Sequence, residues 1–263
     1  MELKKLSDIE IITTSNSKIN EVDFENLTFG NVFTDYMLVC DFENGAWQKP
    51  IITPYAPFLL DPSAKVFHYG QAIFEGMKAF KDNQDDVWLF RPDENFNRFN
   101  KSAKRMAMPE VPEDVFMGGL HRLLEIEKEW VKKGKGNTLY IRPFMIATGH
   151  GVIAAPSQSY RFMIILSPAR AYYSGEVKVV IAEHFSRAAN GGIGAAKAAG
   201  NYSAQFYPTK FHLQFHWFGY PEVLVGLPFL HPLFFDVCRH PMLLRIWADS
   251  SIFHLSNTSE CVI

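Results

Sequence analysis

Residues 186–202 read Ser-Arg-Ala-Ala-Asn-Gly-Gly-Ile-Gly-Ala-Ala-Lys-Ala-Ala-Gly-Asn-Tyr and constrain the chain more than any other stretch, because they set one lysine, Lys197, among the smallest side chains available. Glycines at 191, 192, 194 and 200 let the backbone turn and come close to a flat molecule, while the alanines leave room beside the amine. An amine held there loses hydration. Desolvation disfavours the ammonium form, which is what a lysine needs before it attacks an aldehyde to form a Schiff base. Taken alone, these residues more readily describe a flexible Gly/Ala loop carrying a solvated lysine, so the rest of the sequence has to choose.

A chain of 263 residues that is 48% hydrophobic and 14% aromatic can bury a substantial core as one large domain or two smaller ones. Its net charge of −2 supplies no field toward nucleic acid or an anionic membrane, and a small-molecule substrate is the expectation. Cys40, Cys238 and Cys261 show neither metal-ligand nor Cys-x-x-Cys spacing, and an odd, sparse set of thiols argues for a reducing compartment. The start, Met1-Glu2-Leu3-Lys4-Lys5 with Asp8 and Glu10 behind it, lacks the apolar core of a secretory signal, so a cytoplasmic location is expected. The longest apolar run, 223–235, is too short for a membrane helix and is broken by Gly226, Pro228 and Pro232.

In chain order, β-formers over 32–40 predict the first strand of a sheet. A Pro-containing connection over 50–62 leads into a dense aromatic segment, 66–80, whose simplest use is core packing. A strand over 87–90 is followed by a helix over 93–106, with Phe96, Phe99, Ala103 and Met106 on its buried face and Arg98 pointing away from it. Pro112 opens a second helix that Lys132-Lys133-Gly134 closes, weakened locally by Gly118-Gly119. Strands follow over 138–144, where alternation puts Tyr140 and Arg142 on one face, and over 160–166. A phenol beside a guanidinium can receive a carboxylate, and an exposed half of an amphipathic strand would look the same. Residues 167–176 are the best interdomain linker, and 177–182 restart the sheet pattern ahead of Lys197.

Taken together, Phe67-His68-Tyr69-Gly70, Phe74-Glu75-Gly76-Met77-Lys78-Ala79-Phe80, Leu139-Tyr140-Ile141-Arg142-Pro143 and the Lys197 segment resemble a branched-chain amino acid aminotransferase over about residues 29–210. That family belongs to the pyridoxal-phosphate enzymes of fold type IV. The resemblance implies a two-domain α/β (α+β) fold with a small N-terminal domain over 1–172, a linker at 173–176 and a larger domain from 177. It implies transfer of an amino group from leucine, isoleucine or valine to 2-oxoglutarate, giving glutamate. By position, Lys197 matches the lysine that holds pyridoxal 5′-phosphate and then shuttles the substrate proton. Tyr202 matches the phenol on the cofactor's ring oxygen, Arg98 the arginine on its phosphate, and Arg187 buttresses the site. Tyr69, Tyr140 and Arg142 match groups that receive substrate carboxylates, and Phe33, Phe74 and Tyr172 match aromatic walls around a branched side chain. A homodimer is implied, with the loop 149–156 reaching into the partner's pocket. D-amino acid aminotransferases and aminodeoxychorismate lyases share the lysine and remain alternatives, as does an inactive family member that binds the cofactor weakly or only joins full-length subunits.

The resemblance stops at Lys210. Where the family has an acid that pairs with the pyridine nitrogen, this chain has Leu230-His231-Pro232-Leu233-Phe234, and the family's phosphate-binding turns are not found. Composition changes at the same point: residues 211–263 hold six charged residues and five of the nine histidines, against 48 charged residues in the first 210. A non-native tail such as a shifted reading frame produces is expected, although alternative splicing or real divergence would look the same, and with it an incomplete or abnormal C-terminal domain and impaired activity of the chain as written.

Overall fold

The computed structural model describes residues 9–170, 178–181, 185–186, 188–215 and 223–226. Its elements run β1 (Glu10–Ile11), β2 (Tyr36–Glu43), β3 (Ala46–Trp47), β4 (Ile51–Pro54), α1 (Lys65–Tyr69), β5 (Ala72–Phe74), β6 (Met77–Lys81), β7 (Val87–Leu89) and α2 (Pro92–Arg105). They continue with α3 (Gly119–Ile126), β8 (Thr138–Ala147), β9 (Tyr160–Ala169), β10 (Lys178–Ile181), α4 (Gly200–Ser203), α5 (Phe206–Phe215) and β11 (Val223–Gly226). The main sheet is ordered β1-β4-β2-β9-β8-β6-β7, with β3 on β2 and β5 on β8. Every pairing in it is antiparallel except β1 with β4. Strands β10 and β11 pair in parallel as a second, two-stranded sheet.

Burial along β8 alternates strictly from Leu139 onward. Leu139, Ile141, Pro143, Met145 and Ala147 are buried, while Tyr140, Arg142, Phe144 and Ile146 are only partly so. The buried face joins Leu38, Ile52, Phe162 and Ile164 of the neighbouring strands to Phe99 of α2 and to Phe116, Leu120 and Leu123. At its centre Phe99, Phe116 and Phe162 make pairwise ring contacts at 5.5 Å, a separation at which aromatic pairs add to simple area burial. Helix α2 forms where the sequence places it: Pro92 opens it, Asp93 and Glu94 sit in its first turn and Lys104 and Arg105 in its last, all matched to the helix dipole.

Several boundaries differ from the sequence reading. The sheet does not begin over 32–40: β1 at Glu10–Ile11 pairs with β4, which lies inside the expected connection 50–62. The strand expected from residue 32 is β2 and starts at Tyr36, because Thr34 donates its N–H to the Leu166 carbonyl and the Asp35 carbonyl accepts from Tyr55, tying this entry to separate partners. The second helix is divided into a wide turn at Asp114–Gly118, α3, and a tight turn at Lys128–Trp130. The break falls at the paired glycines, where α3 approaches β2 so closely that a Cβ on Gly119 would stand 2.6 Å from Leu38 Cδ2. Strand β9 runs on through Ala169, pairing Pro168 with Leu139 and Ala169 with Thr138, and so absorbs the first part of the expected linker. The linker positions 171–176, with Tyr172, lie outside the described residues, as do residue 177, Arg187 and most of the tail beyond residue 215. Among the described residues no helix is long and apolar enough to cross a membrane, and no cluster of His, Cys, Asp or Glu could hold a metal.

The turn after α3 carries a buried acid, Glu127, 2% exposed, whose Oε1 accepts the Tyr36 N–H at 2.5 Å. Burial pushes its carboxyl up from 4.5 to about 7; the Tyr36 N–H and the Thr34 hydroxyl oppose that rise, and the charge of Asp35 adds to it. A folded-state value above the unfolded one means the folded chain keeps a proton the unfolded chain has shed. Stability from this group is therefore fully present below pH 4.5 and is lost as pH rises through about 7. Urea midpoints of the native chain should fall relative to those of Glu127→Gln over that window; parallel curves would contradict it.

Candidate active site

The site forms where one strand edge is interrupted. Register on β8 is continuous from Ala72↔Ile146 through Phe74↔Phe144 to Met77↔Ile141, yet Glu75 and Gly76 belong to neither β5 nor β6. They lie opposite Pro143 and Arg142. Pro143 has no N–H to give, so the ladder cannot run through unbroken, and its carbonyl instead accepts the Glu75 N–H at 2.7 Å. Gly76 completes the break: a Cβ there would stand 2.4 Å from the Tyr140 hydroxyl, so only glycine admits that phenol.

The edge of β5 away from β8 receives the lysine segment. Phe74 donates its N–H to the Lys197 carbonyl at 3.1 Å, Ala199 donates to the Ala72 carbonyl at 3.0 Å, and Ile73 and Ala198 form an antiparallel bridge. Helix α2 holds the same segment from another side. Ser102 Oγ accepts the Lys197 N–H at 2.9 Å while donating to the Arg98 carbonyl at 2.9 Å, and Arg105 Nη2 reaches the carbonyls of Gly191 and Gly192. Small residues permit the fold-back: a Cβ on Gly194 would meet that of Ala188 at 2.4 Å.

Lys197 is half-buried, and its Nζ lies 2.7 Å from the Tyr202 hydroxyl, 4.7 Å from the centre of the Phe74 ring and 4.9 Å from that of Tyr202. Phe74 also packs against Tyr202 at 4.7 Å and carries the Arg142 guanidinium 4.5 Å from its centroid. Arg142 in turn donates from Nη2 at 2.7 Å and Nε at 3.2 Å to the Tyr140 hydroxyl. Five of the residues picked from sequence, Lys197, Tyr202, Phe74, Arg142 and Tyr140, thus form one contiguous cluster of two cations on aromatic faces.

Arg98 joins the cluster through a residue the sequence reading did not single out. Its Nε and Nη2 grip the carboxylate of Glu75, the neighbour of Phe74, at 2.5 and 2.8 Å. Glu75 is fully buried, and its hydrogen bond holds the Arg98 pKa above its ordinary value. Arg98 points away from the core face of α2, yet it is ion-paired rather than simply solvated. Ser102, Asn95 and Arg105 were missed as well; an acid inside an otherwise aromatic run, with an arginine and a serine four apart on the next helix, was the available signal. Tyr69 and Phe33 stand in contacts of their own: Tyr69 donates to the Val152 carbonyl in the loop 149–156, and Phe33 stacks on Tyr55 at 4.8 Å.

No protein-family model matches the chain. Branched-chain-amino-acid transaminase 1 of Bacillus subtilis (strain 168) is 48% identical over 207 residues, covering 77% of this chain and 57% of the relative. A branched-chain aminotransferase from the archaeon Thermoproteus uzoniensis, solved with norvaline, superposes with TM-score 0.54 at 18% identity, covering 73% of this chain and 60% of that one. A branched-chain amino acid aminotransferase from T.th., complexed with N-(5′-phosphopyridoxyl)-L-glutamate, gives TM-score 0.50 at 23% identity over 72% of this chain and 58% of that one. The chain spans about half the length of the curated relatives it matches. The mixed α/β sheet is that of the fold type IV aminotransferases. Within that class, the chain is similar over 77% of its length to a branched-chain-amino-acid transaminase.

Ser102 is 1% exposed and uses both its donor and its acceptor. Ser102→Ala removes the acceptor of the Lys197 N–H, and leaving that group unsatisfied should cost about 1–3 kcal/mol, read as a lower thermal midpoint. An unchanged midpoint would show that the contact holds nothing.

Proposed function

We propose that the intact form of this chain transfers the amino group of leucine, isoleucine or valine to 2-oxoglutarate, with pyridoxal 5′-phosphate as cofactor. The observation that carries the reading is Lys197 Nζ, 2.7 Å from the Tyr202 hydroxyl and flanked by two aromatic faces, presented from a segment of small residues. The donor set suits the cofactor. A half-buried amine faces the place of an aldehyde, a phenol stands beside it for the ring oxygen, and the Arg98 side chain is 44% exposed with N–H groups left over from Glu75 for a phosphate. Bound there, pyridoxal phosphate supplies an electron sink for charge developing at the substrate Cα.

The protein's part is to bind, orient and move a proton. Lys197 Nζ would hold the cofactor and would move the proton at the substrate Cα, with Tyr202 holding the amine in line. The Arg142–Tyr140 pair receives a carboxylate, and Phe74 closes the wall between it and the amine. Tyr69, Phe33 and Tyr172 are assigned to the substrate pocket and Arg187 to the support of the cofactor site by the resemblance alone, Tyr172 and Arg187 lying outside the described residues. The domain division at 172, the linker 173–176, a cytoplasmic location and a homodimer belong to the same proposal. Support for the dimer comes from the loop 149–156, where Val152 and Ile153 are 66% and 75% exposed while Lys65 Nζ fixes the backbone at Ile153 and Ala155. Sedimentation at micromolar concentration tests it, and a monomer overturns it.

Lys197→Ala should abolish the covalent adduct trapped by borohydride in the presence of pyridoxal phosphate, as read by intact mass; an undiminished adduct on another lysine would show that a different amine is the nucleophile. The neutral stretch 230–234 stands where the family has the acid on the pyridine nitrogen, so the chain as written is proposed to be slower by on the order of 10²–10³ than a form with a family-like C-terminus. Glutamate formation from leucine and 2-oxoglutarate by both forms tests this. Equal rates remove the impairment, and a restored form that prefers D-alanine removes the branched-chain assignment.

A further inference from the structure

Glu75 is fully buried beside the cluster, and its carboxylate accepts from Arg98 Nε at 2.5 Å, Arg98 Nη2 at 2.8 Å, Asn95 Nδ2 at 2.8 Å and the Gly76 N–H at 3.1 Å. Three of these donors meet Oε2, and Arg98 Nε meets Oε1. Full burial with these four donors commits Glu75 to holding Arg98 and the strand break. It also makes the pair obligatory, because a carboxylate this deep without its cation is strongly destabilising. Arg98 is placed differently, with its side chain 44% exposed. A guanidinium carries five N–H groups in a rigid plane, and fixing one edge by two parallel bonds fixes the direction of the other edge as well.

We infer that Glu75 is a positioning residue for the anionic end of the ligand: it holds the inner edge of Arg98 so that the outer edge is already aimed at a phosphate before one arrives. The inference rests on the cofactor reading above. An arginine free to rotate would lose side-chain entropy on capturing an anion, and one already clamped does not. Because Glu75 cancels the charge of Arg98, recognition here comes from directed N–H groups rather than from net positive charge. Asn95, three residues before Arg98 on α2, also donates to the Gly76 carbonyl at 3.3 Å and ties the clamp to the strand break.

The charge cancellation makes the idea testable by sign. Glu75→Gln keeps the size of the side chain but sets an amide N–H₂ against an Arg98 donor, which breaks the fork while leaving the arginine uncompensated. Electrostatics alone predicts tighter phosphate binding; loss of positioning predicts weaker. In absorbance titrations of the full chain, the dissociation constant for pyridoxal phosphate should rise by about tenfold or more, while that for pyridoxal, which lacks the phosphate, changes less than about twofold. Equal losses for the two, or tighter binding of pyridoxal phosphate, overturn the inference. Should Glu75→Gln fail to fold, Asn95→Ala decides: a phosphate-selective loss of about threefold supports the clamp, and no selective loss overturns it. A native chain that binds neither compound would sink the cofactor reading itself, whereas a native chain that binds both, with Glu75→Gln unaffected, sinks only this one.

Discussion

The arrangement of the site depends on the antiparallel splice between the lysine segment and the outer edge of β5. Two backbone hydrogen bonds and one bridge fix which way Lys197 faces, since in extended pairing the register of the main chain sets the side of every side chain. A lysine on a free Gly/Ala loop would sample many directions. Spliced here, and held from α2 by Ser102, it meets the Phe74 ring and the Tyr202 ring and hydroxyl. Helix α2 thus serves both ends of the site, with Arg98 one turn before Ser102 and Arg105 close behind.

Electrostatics divides between two treatments of charge. Lys197 and Arg142 share the Phe74 ring, whose negative face eases the approach of two cations without an acid between them. Arg98 is instead neutralised by a buried carboxylate that accepts four hydrogen bonds. The first treatment leaves positive charge available where ligands with carboxylates are proposed to sit, and the second keeps a rigid donor edge with little net field.

What the sequence discloses follows from the range of the interactions involved. Tyr140 and Arg142 could be put on one face because strand alternation is a local rule, whereas Lys197 and Tyr202 came from the family resemblance, since the segment alone also reads as a flexible loop. Helix α2 was placed within a residue at each end from its proline and its charged turns. Glu75 was not readable as a partner of Arg98, since a contact 23 positions apart exists only once β6, β7 and α2 have folded back. The start of β2 and the end of β9 were missed for the same reason. Hydrogen bonds from Thr34 to Leu166, and the pairing of Thr138 with Ala169, override the local preference of those segments.

The uninterrupted count across the strand break has a consequence for sequence change. Because β5 and β6 keep one register on β8 through Glu75 and Gly76, successive residues fall on opposite faces, Phe74 toward the cations and Glu75 toward α2. Insertion or deletion of a single residue between 72 and 79 would therefore exchange these two positions, burying an aromatic ring against Arg98 and placing a carboxylate between Lys197 and Arg142. This segment tolerates change only in kind, or in steps of two.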